Sequence, residues 1–225
     1  LAATYAPGTP WAAKQADPED VVRARRMAER AVRTQGMRYH ERAQKEKQAQ
    51  AFAHAAKLYE IHVAHFEDTE HAYAIMFYLA EISFHRLGQP ERAGELYVRA
   101  ARKNPKGQFT KDALYNAILA FESVRVKELE PCKPGASSTA SVNATVPRST
   151  DDAKPIDPCS ETPTDHKFSE ATALYVELYP GDPEVPGILF RQGRLYFERG
   201  IYDPAIRVFG QLLDGYPQSA YAATA

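Results

Sequence analysis

Two stretches of this chain carry the same seven anchors at the same spacing. Downstream they are Leu189, Tyr196, Gly200, Ala205, Phe209, Leu212 and Pro217, separated by 7, 4, 5, 4, 3 and 5 residues. Upstream, Phe77, Phe84, Gly88, Ala93, Tyr97, Ala100 and Pro105 show the same six gaps. Gaps of three, four and seven line up one face of a helix, while the shared glycine and the closing proline mark a turn and a stop. Each stretch is therefore predicted to be a helical hairpin. Gly193 and Ala205 are expected where its two helices touch most closely, with Tyr196 and Phe209 beside them. Glu81 replaces Gly193 in the upstream copy, so helix contact there is expected to be looser or shifted by a residue.

Two further copies are partial. Ala55, Tyr59 and the corner Phe66-Glu67-Asp68-Thr69 align with Ala205, Phe209 and Tyr216-Pro217-Gln218-Ser219. Leu114, Ala117 and Phe121 suit the first helix of another unit. Its second helix is expected at Ala171, Tyr175 and Leu178, with Ala171 one full repeat length ahead of Ala205. On this reading an insertion splits that unit between its own two helices.

The period, the turn glycine and the closing proline resemble the tetratricopeptide repeat, a helix–turn–helix unit of about 34 residues. The resemblance implies an all-α fold: a superhelical α-α solenoid of helix pairs, one of them interrupted at 130–165. The expected organisation is an irregular arm at 1–16 and a helical repeat domain at 17–225. Its helix pairs are expected at about 17–66, 71–105, 109–183 (around the insertion) and 185–217. Asp17-Pro18-Glu19-Asp20 is a helix start, with an N-cap aspartate, a proline at the first position and acids facing the helix dipole. The first helix is expected to run through Val21, Ala24, Met27, Ala28, Ala31 and Val32 to about Ala43. Trp11 is a candidate to pin the arm against the first helices.

Composition excludes some functions. The 28 basic and 29 acidic residues are interleaved, leaving a formal net charge of −1. The one basic run, Arg23, Arg25, Arg26 and Arg30, reads as a solvated helix face, so no nucleic-acid partner is expected. No window approaches the length of an apolar membrane-spanning helix. No secretion signal stands at the start, which is Leu1 rather than methionine, so a removed leader or an upstream domain is expected. Ser219-Ala220-Tyr221-Ala222-Ala223 looks like the opening of another helix.

The two cysteines, Cys132 and Cys159, stand at opposite ends of the proline- and serine-rich insertion, each after a proline. They are predicted to form a disulfide, the other reading being two unrelated exposed thiols. A disulfide implies an oxidising compartment, so a periplasmic or otherwise extracytoplasmic location is expected, with the cytoplasm as the alternative.

No chemistry is legible. His54, His62, His65 and His71 stand near one another in sequence, but no H-E-x-x-H and no completed zinc set accompanies them. They read as polar edges of helix faces. There is no nucleophile elbow and no phosphate loop. The expectation is a protein without enzymatic activity, cofactor or metal, whose partners are other proteins.

The resemblance also implies where a partner binds, since stacked helix pairs present a groove lined by the first helix of each pair. Candidates in one unit are Ile75, Tyr78, Ile82, His85 and Arg86. In the next they are Asp112, Tyr115, Leu119 and Glu122, and in the last Phe190, Arg194, Phe197 and Glu198. For each the other reading is plain packing. Chaperone-binding members of the family grip a C-terminal carboxylate with lysine and asparagine. Here those places hold Tyr78, Ile82, Phe190 and Arg194, which suits an apolar segment better. The Tyr-Pro and Phe-Glu-Asp corners are similar to those of bacterial envelope repeat proteins. The implied role is a scaffold in an envelope assembly, such as outer-membrane assembly or gliding-motility machinery; the alternative is a cytosolic peptide-binding adaptor or co-chaperone.

Overall fold

The helices start where the sequence supplies a cap or a proline. In the computed structural model, which describes residues 3–5, 8–129 and 161–225, the Asp17 carboxylate accepts the Glu19 N–H at 2.8 Å ahead of Pro18. That cap opens α1 (Pro18–Glu46). Lys47 adopts a left-handed conformation (φ 52°) and ends it, and α2 (Ala49–His65) follows. Then come α3 (Ala72–His85), α4 (Pro90–Lys103) and α5 (Thr110–Leu129). After the undescribed residues stand α6 (Pro163–Leu178), α7 (Val185–Glu198) and α8 (Tyr202–Gly215). The described residues contain no strand. Within the arm, Ala12–Lys14 form a 3-10 turn, and Trp11 meets the edge of Tyr5 at 4.8 Å between ring centroids.

The chain divides into two compact units, Leu1–Ala120 and Phe121–Ala225. In the first, α1 packs on α2, α2 on α3 and α3 on α4; in the second, α6 packs on α7 and α7 on α8. Gly88 (φ 62°) and Gly200 (φ 74°) make the tight turns inside the α3–α4 and α7–α8 hairpins, a backbone conformation that costs glycine nothing.

The corners between hairpins repeat hydrogen bond for hydrogen bond. Phe66, Asn104, Tyr179 and Tyr216 each donate their N–H to the carbonyl four residues back. The N–H three residues further on, at Thr69, Gly107, Asp182 and Ser219, returns to that corner residue's carbonyl. A second such bond follows after three more residues, from Ala72, Thr110, Val185 and Ala222. The step from Phe66 to Asn104 nearly equals the step from Tyr179 to Tyr216. The last corner leads into one further turn, with the Ala225 N–H bonded to the Tyr221 carbonyl.

This register corrects the reading of α6. Counted from its corner, Tyr175 stands at the place of Leu212, and Phe168 at the place of Ala205, Ala93 and Ala55. The match of Ala171 to Ala205 therefore does not mark equivalent positions. The helix also begins at Pro163, not at 166. Thr162-Pro163-Thr164-Asp165 is a capping box, in which Thr162 Oγ1 accepts the Asp165 N–H and Asp165 Oδ2 accepts the Thr162 N–H. That pattern is a sequence signature of a helix start. The predicted disulfide, Cys132 with Cys159, lies outside the described residues.

At the helix crossings Phe209 lies against Gly193, where a β-carbon would come within 2.5 Å of its ring. Gly36 of α1 receives the ring of Tyr59 in the same way, with a β-carbon 2.8 Å away. In the α3–α4 hairpin there is no such gap. Tyr97, at the place of Phe209, donates its hydroxyl to Glu81 Oε1 instead. The glutamate replaces close backbone approach with a hydrogen bond.

Candidate functional site

α1 has 29 residues and α2 17, against 14 in each of α3, α4, α7 and α8. The extra length carries the end of α1 alongside the end of α3. Between them lies a recess of about 270 Å³, lined by His40 and Gln44 of α1, Phe52 of α2, and Phe77, Tyr78, Glu81, Ile82, His85 and Arg86 of α3. Its wall is aromatic. Tyr78 meets His40 edge to face at 5.9 Å and Phe109 at 5.7 Å, and Phe77 stacks on Phe109 at 4.6 Å. Such contacts fix ring positions before any partner arrives.

The polar groups of the recess are held by one another. Gln44 lies 3.2 Å from His40 Nε2, and His40 Nδ1 lies 3.2 Å from the Tyr59 hydroxyl. A neutral imidazole donating through Nδ1 and accepting at Nε2 satisfies both contacts. Burial pushes the His40 pKa down, opposed by the charge of Glu81. Glu81 also accepts from Asn116 Nδ2 at 3.0 Å and lies 3.8 Å from His85 Nε2. The Arg86 guanidinium sits over the Phe52 ring at 4.8 Å, a cation–π contact.

The structure brings together four of the five groove candidates of this unit, Tyr78, Ile82, His85 and Arg86. Two need correction. Ile75 and Ile82 are each 1% exposed. Ile75 belongs to the core, and Ile82 offers at most the floor of the recess. Both fall at the edge of the inward side of α3, between Leu79 and Tyr78, which the first-helix rule does not separate from the groove side. Sequence reasoning misses His40, Gln44 and Phe52. Ending α1 at about Ala43 leaves out Gln44 and the last residues of that helix, which runs to Glu46.

The remaining candidates are dispersed. Asp112 is exposed, and Tyr115 and Leu119 are half-buried. Glu122 accepts from Arg191 at 3.1 Å. Phe190 is covered by Phe209 and Tyr221, at 6.1 and 5.4 Å. Arg194 pairs with Glu198 at 2.9 Å. Phe197 is exposed, edge to face with Tyr202 at 5.8 Å.

The second unit contains a buried ionic cluster that sequence reasoning does not find. Arg125 donates its Nε to Asp165 Oδ1, and its guanidinium lies 4.4 Å over the Phe168 ring. Arg199 Nε approaches Asp165 Oδ2 at 3.1 Å, and Arg199 Nη2 lies 3.8 Å from Glu128 Oε2. All three side chains are at most 1% exposed. Burial draws the Arg125 pKa down to about 10, against the pull of Asp165; at neutral pH it is still a cation. Arg125 Nη1 and Nη2 have no hydrogen-bond partner among the described residues. Glu128 also accepts from Thr162 Oγ1 at 3.0 Å and Thr164 Oγ1 at 3.1 Å, so the end of α5 is fastened to the start of α6. Each carboxylate is consumed by structural bonds, and no group of three or more His, Cys, Asp or Glu able to hold a metal ion occurs among the described residues.

Paired helices joined through recurring corners define an array of helical repeats. The family model of the tetratricopeptide repeat matches residues 188–219. α7, α8 and the corner that follows are thus a tetratricopeptide repeat. No curated protein matches the chain. The tetratricopeptide repeat is a protein–protein interaction module and typically non-catalytic, and no described helix is long and apolar enough to cross a membrane.

Proposed function

We propose that this chain is a non-catalytic docking scaffold in a bacterial cell-envelope assembly, and that it holds a segment of a partner protein in the recess beside Tyr78. The recess carries this reading. Preset aromatic rings form its wall, while His85 and Arg86 stay exposed at its mouth, the mixture expected of a site that takes an apolar segment and orients it by a few polar contacts. The envelope part rests on the corners Phe66-Glu67-Asp68-Thr69 and Tyr216-Pro217-Gln218-Ser219 and on the disulfide expected between Cys132 and Cys159.

Affinity purification from the source cell tests the docking role, with the native chain and Tyr78→Ala compared. A partner retained by the first and depleted at least tenfold by the second supports the reading. Equal recovery refutes it. Mass spectrometry of the native protein with and without reductant tests the compartment: a two-proton mass difference supports an extracytoplasmic location, and free thiols contradict it.

A further inference from the structure

A second recess, of about 970 Å³, runs along the first half of α1 where it faces the corner between α2 and α3. Val21, Val22, Arg26 and Arg30 line one side, and Thr69 and His71 the other. The Arg23–Arg30 run reads from sequence as a solvated face, and two of its four arginines, with the neighbouring Arg33, are committed to ion pairs. Arg23 pairs with Asp20 at 3.4 Å, Arg25 with Asp68 at 2.6 Å and Arg33 with Glu29 at 2.8 Å. Arg26 and Arg30 have no ion pair among the described residues. They stand four positions apart, about one helical turn or 6 Å along the axis.

The same stretch exposes apolar side chains. Val22 is 57% and Met27 68% exposed. Periodicity places Met27 in the core, but the helix buries Ala28 and Val32 instead and turns Met27 and Ala31 outwards. Of these, Val22 lines the recess and Met27 does not. A helix face that alternates unpaired guanidinium groups with open apolar side chains complements another helix of the opposite charge. Nucleic acid fits less well, because among the described residues lining the recess only Arg26 and Arg30 offer a cation without an ion pair.

We infer that this recess binds an acidic amphipathic helix of a partner protein, with carboxylates one turn apart opposite Arg26 and Arg30 and an aliphatic residue against Val21 and Val22. The inference rests on the docking role proposed above and gives the partner's chemistry at a second point of the same unit.

The probe is a fluorescent 18-residue helical peptide with two glutamates four apart beside two leucines, and a twin with glutamines. Fluorescence anisotropy with the full chain is expected to show saturable binding of the glutamate peptide. The twin is expected to bind at least tenfold more weakly, and so is the glutamate peptide to the Arg26→Gln/Arg30→Gln variant. Val22→Ser should weaken binding several-fold. Charge reversal of both arginines to glutamate should restore affinity for a lysine version of the peptide. Circular dichroism confirms folding, since all three positions are exposed. Equal binding of the two peptides, or none, overturns the inference. So does an arginine-dependent interaction found instead with a 20-nucleotide duplex, or with a second copy of the chain in sedimentation. If Tyr78→Ala loses a captured partner that the arginine variant retains, the docking role stands and only this inference fails.

Discussion

The contact inside the α7–α8 hairpin and the contact between α5 and α6 are closed by opposite means. In α7–α8 the contact is steric: Gly193 removes a side chain so that the Phe209 ring can lie on the backbone, and Ala205 is buried beside it. In α5–α6 the position of Ala205 is taken by Phe168, and an arginine stacks on its ring and reaches Asp165. A methyl-sized contact has been exchanged for a large ring and buried charges. The first arrangement depends on volume. The second depends on charge balance, because a buried ion stripped of its partner costs far more than the intact pair contributes.

The difference can be broken most directly at Asp165. Asp165→Ala leaves Arg125 and Arg199 facing each other without their shared carboxylate and also opens the capping box. A loss of about 3–5 kcal/mol is expected from the uncompensated charge, measurable as a lower urea midpoint. A loss under about 1 kcal/mol, the size of a cap alone, would show that the cluster carries little.

The volume-limited hairpin answers to a different substitution. Gly193→Leu forces a side chain into the Phe209 ring, and a loss of about 1–3 kcal/mol or more follows from overpacking. Thermal melts measure it. Tolerance of leucine at 193 would mean that the helices separate there more easily than the observed contact implies. The hairpin α3–α4 stands between these cases. Glu81→Ala removes the acceptor for the Tyr97 hydroxyl and is expected to cost about 1 kcal/mol. Tyr97→Phe added to it should cost little more, because the hydroxyl that needed a partner is gone. Fully additive losses would place the role of Glu81 elsewhere.

These contrasts also show what was legible. The anchors of α3–α4 and α7–α8 were, because spacing, turn glycine and closing proline agree. The register of α6 was not. Ala171 and Tyr175 imitate the small-then-aromatic pair of a repeat, whereas the position that faces the crossing holds Phe168. The capping box at Thr162 could have corrected it, since threonine followed by aspartate three residues later marks a helix start. The ionic cluster had no such signal. Arg125, Asp165 and Arg199 stand far apart in sequence, on three different helices or their ends, and single charges ordinarily read as surface. The recess at Tyr78 was half legible: the α3 residues follow from repeat position, but His40, Gln44 and Phe52 depend on how far α1 and α2 extend.

The mildest contrast is with pH. In the first unit, His62 is fully buried and donates Nε2–H to Glu29 Oε1 at 2.9 Å, with Nδ1 unpartnered. Burial lowers its pKa despite the pull of Glu29, and burial lowers that of His40 as well. The unfolded chain therefore takes up protons near the ordinary histidine value of 6.5 before the folded one does. Their contribution to stability is full above that pH and declines as pH falls below it toward the folded values. Denaturation midpoints are expected to drop as the pH is lowered from neutral through the ordinary histidine range, and His62→Gln should flatten the slope. An unchanged slope would assign the pH dependence to other groups.

The docking role is tested most directly by site-specific photo-crosslinking in the source cell, with a photoreactive phenylalanine analogue at His85, at the mouth of the Tyr78 recess, or at Leu213, exposed on α8. The recess account predicts a discrete crosslinked protein from position 85 that disappears with Tyr78→Ala, and none from position 213. The same protein crosslinked from 213 and not from 85 would place the binding surface on the second unit and contradict the account.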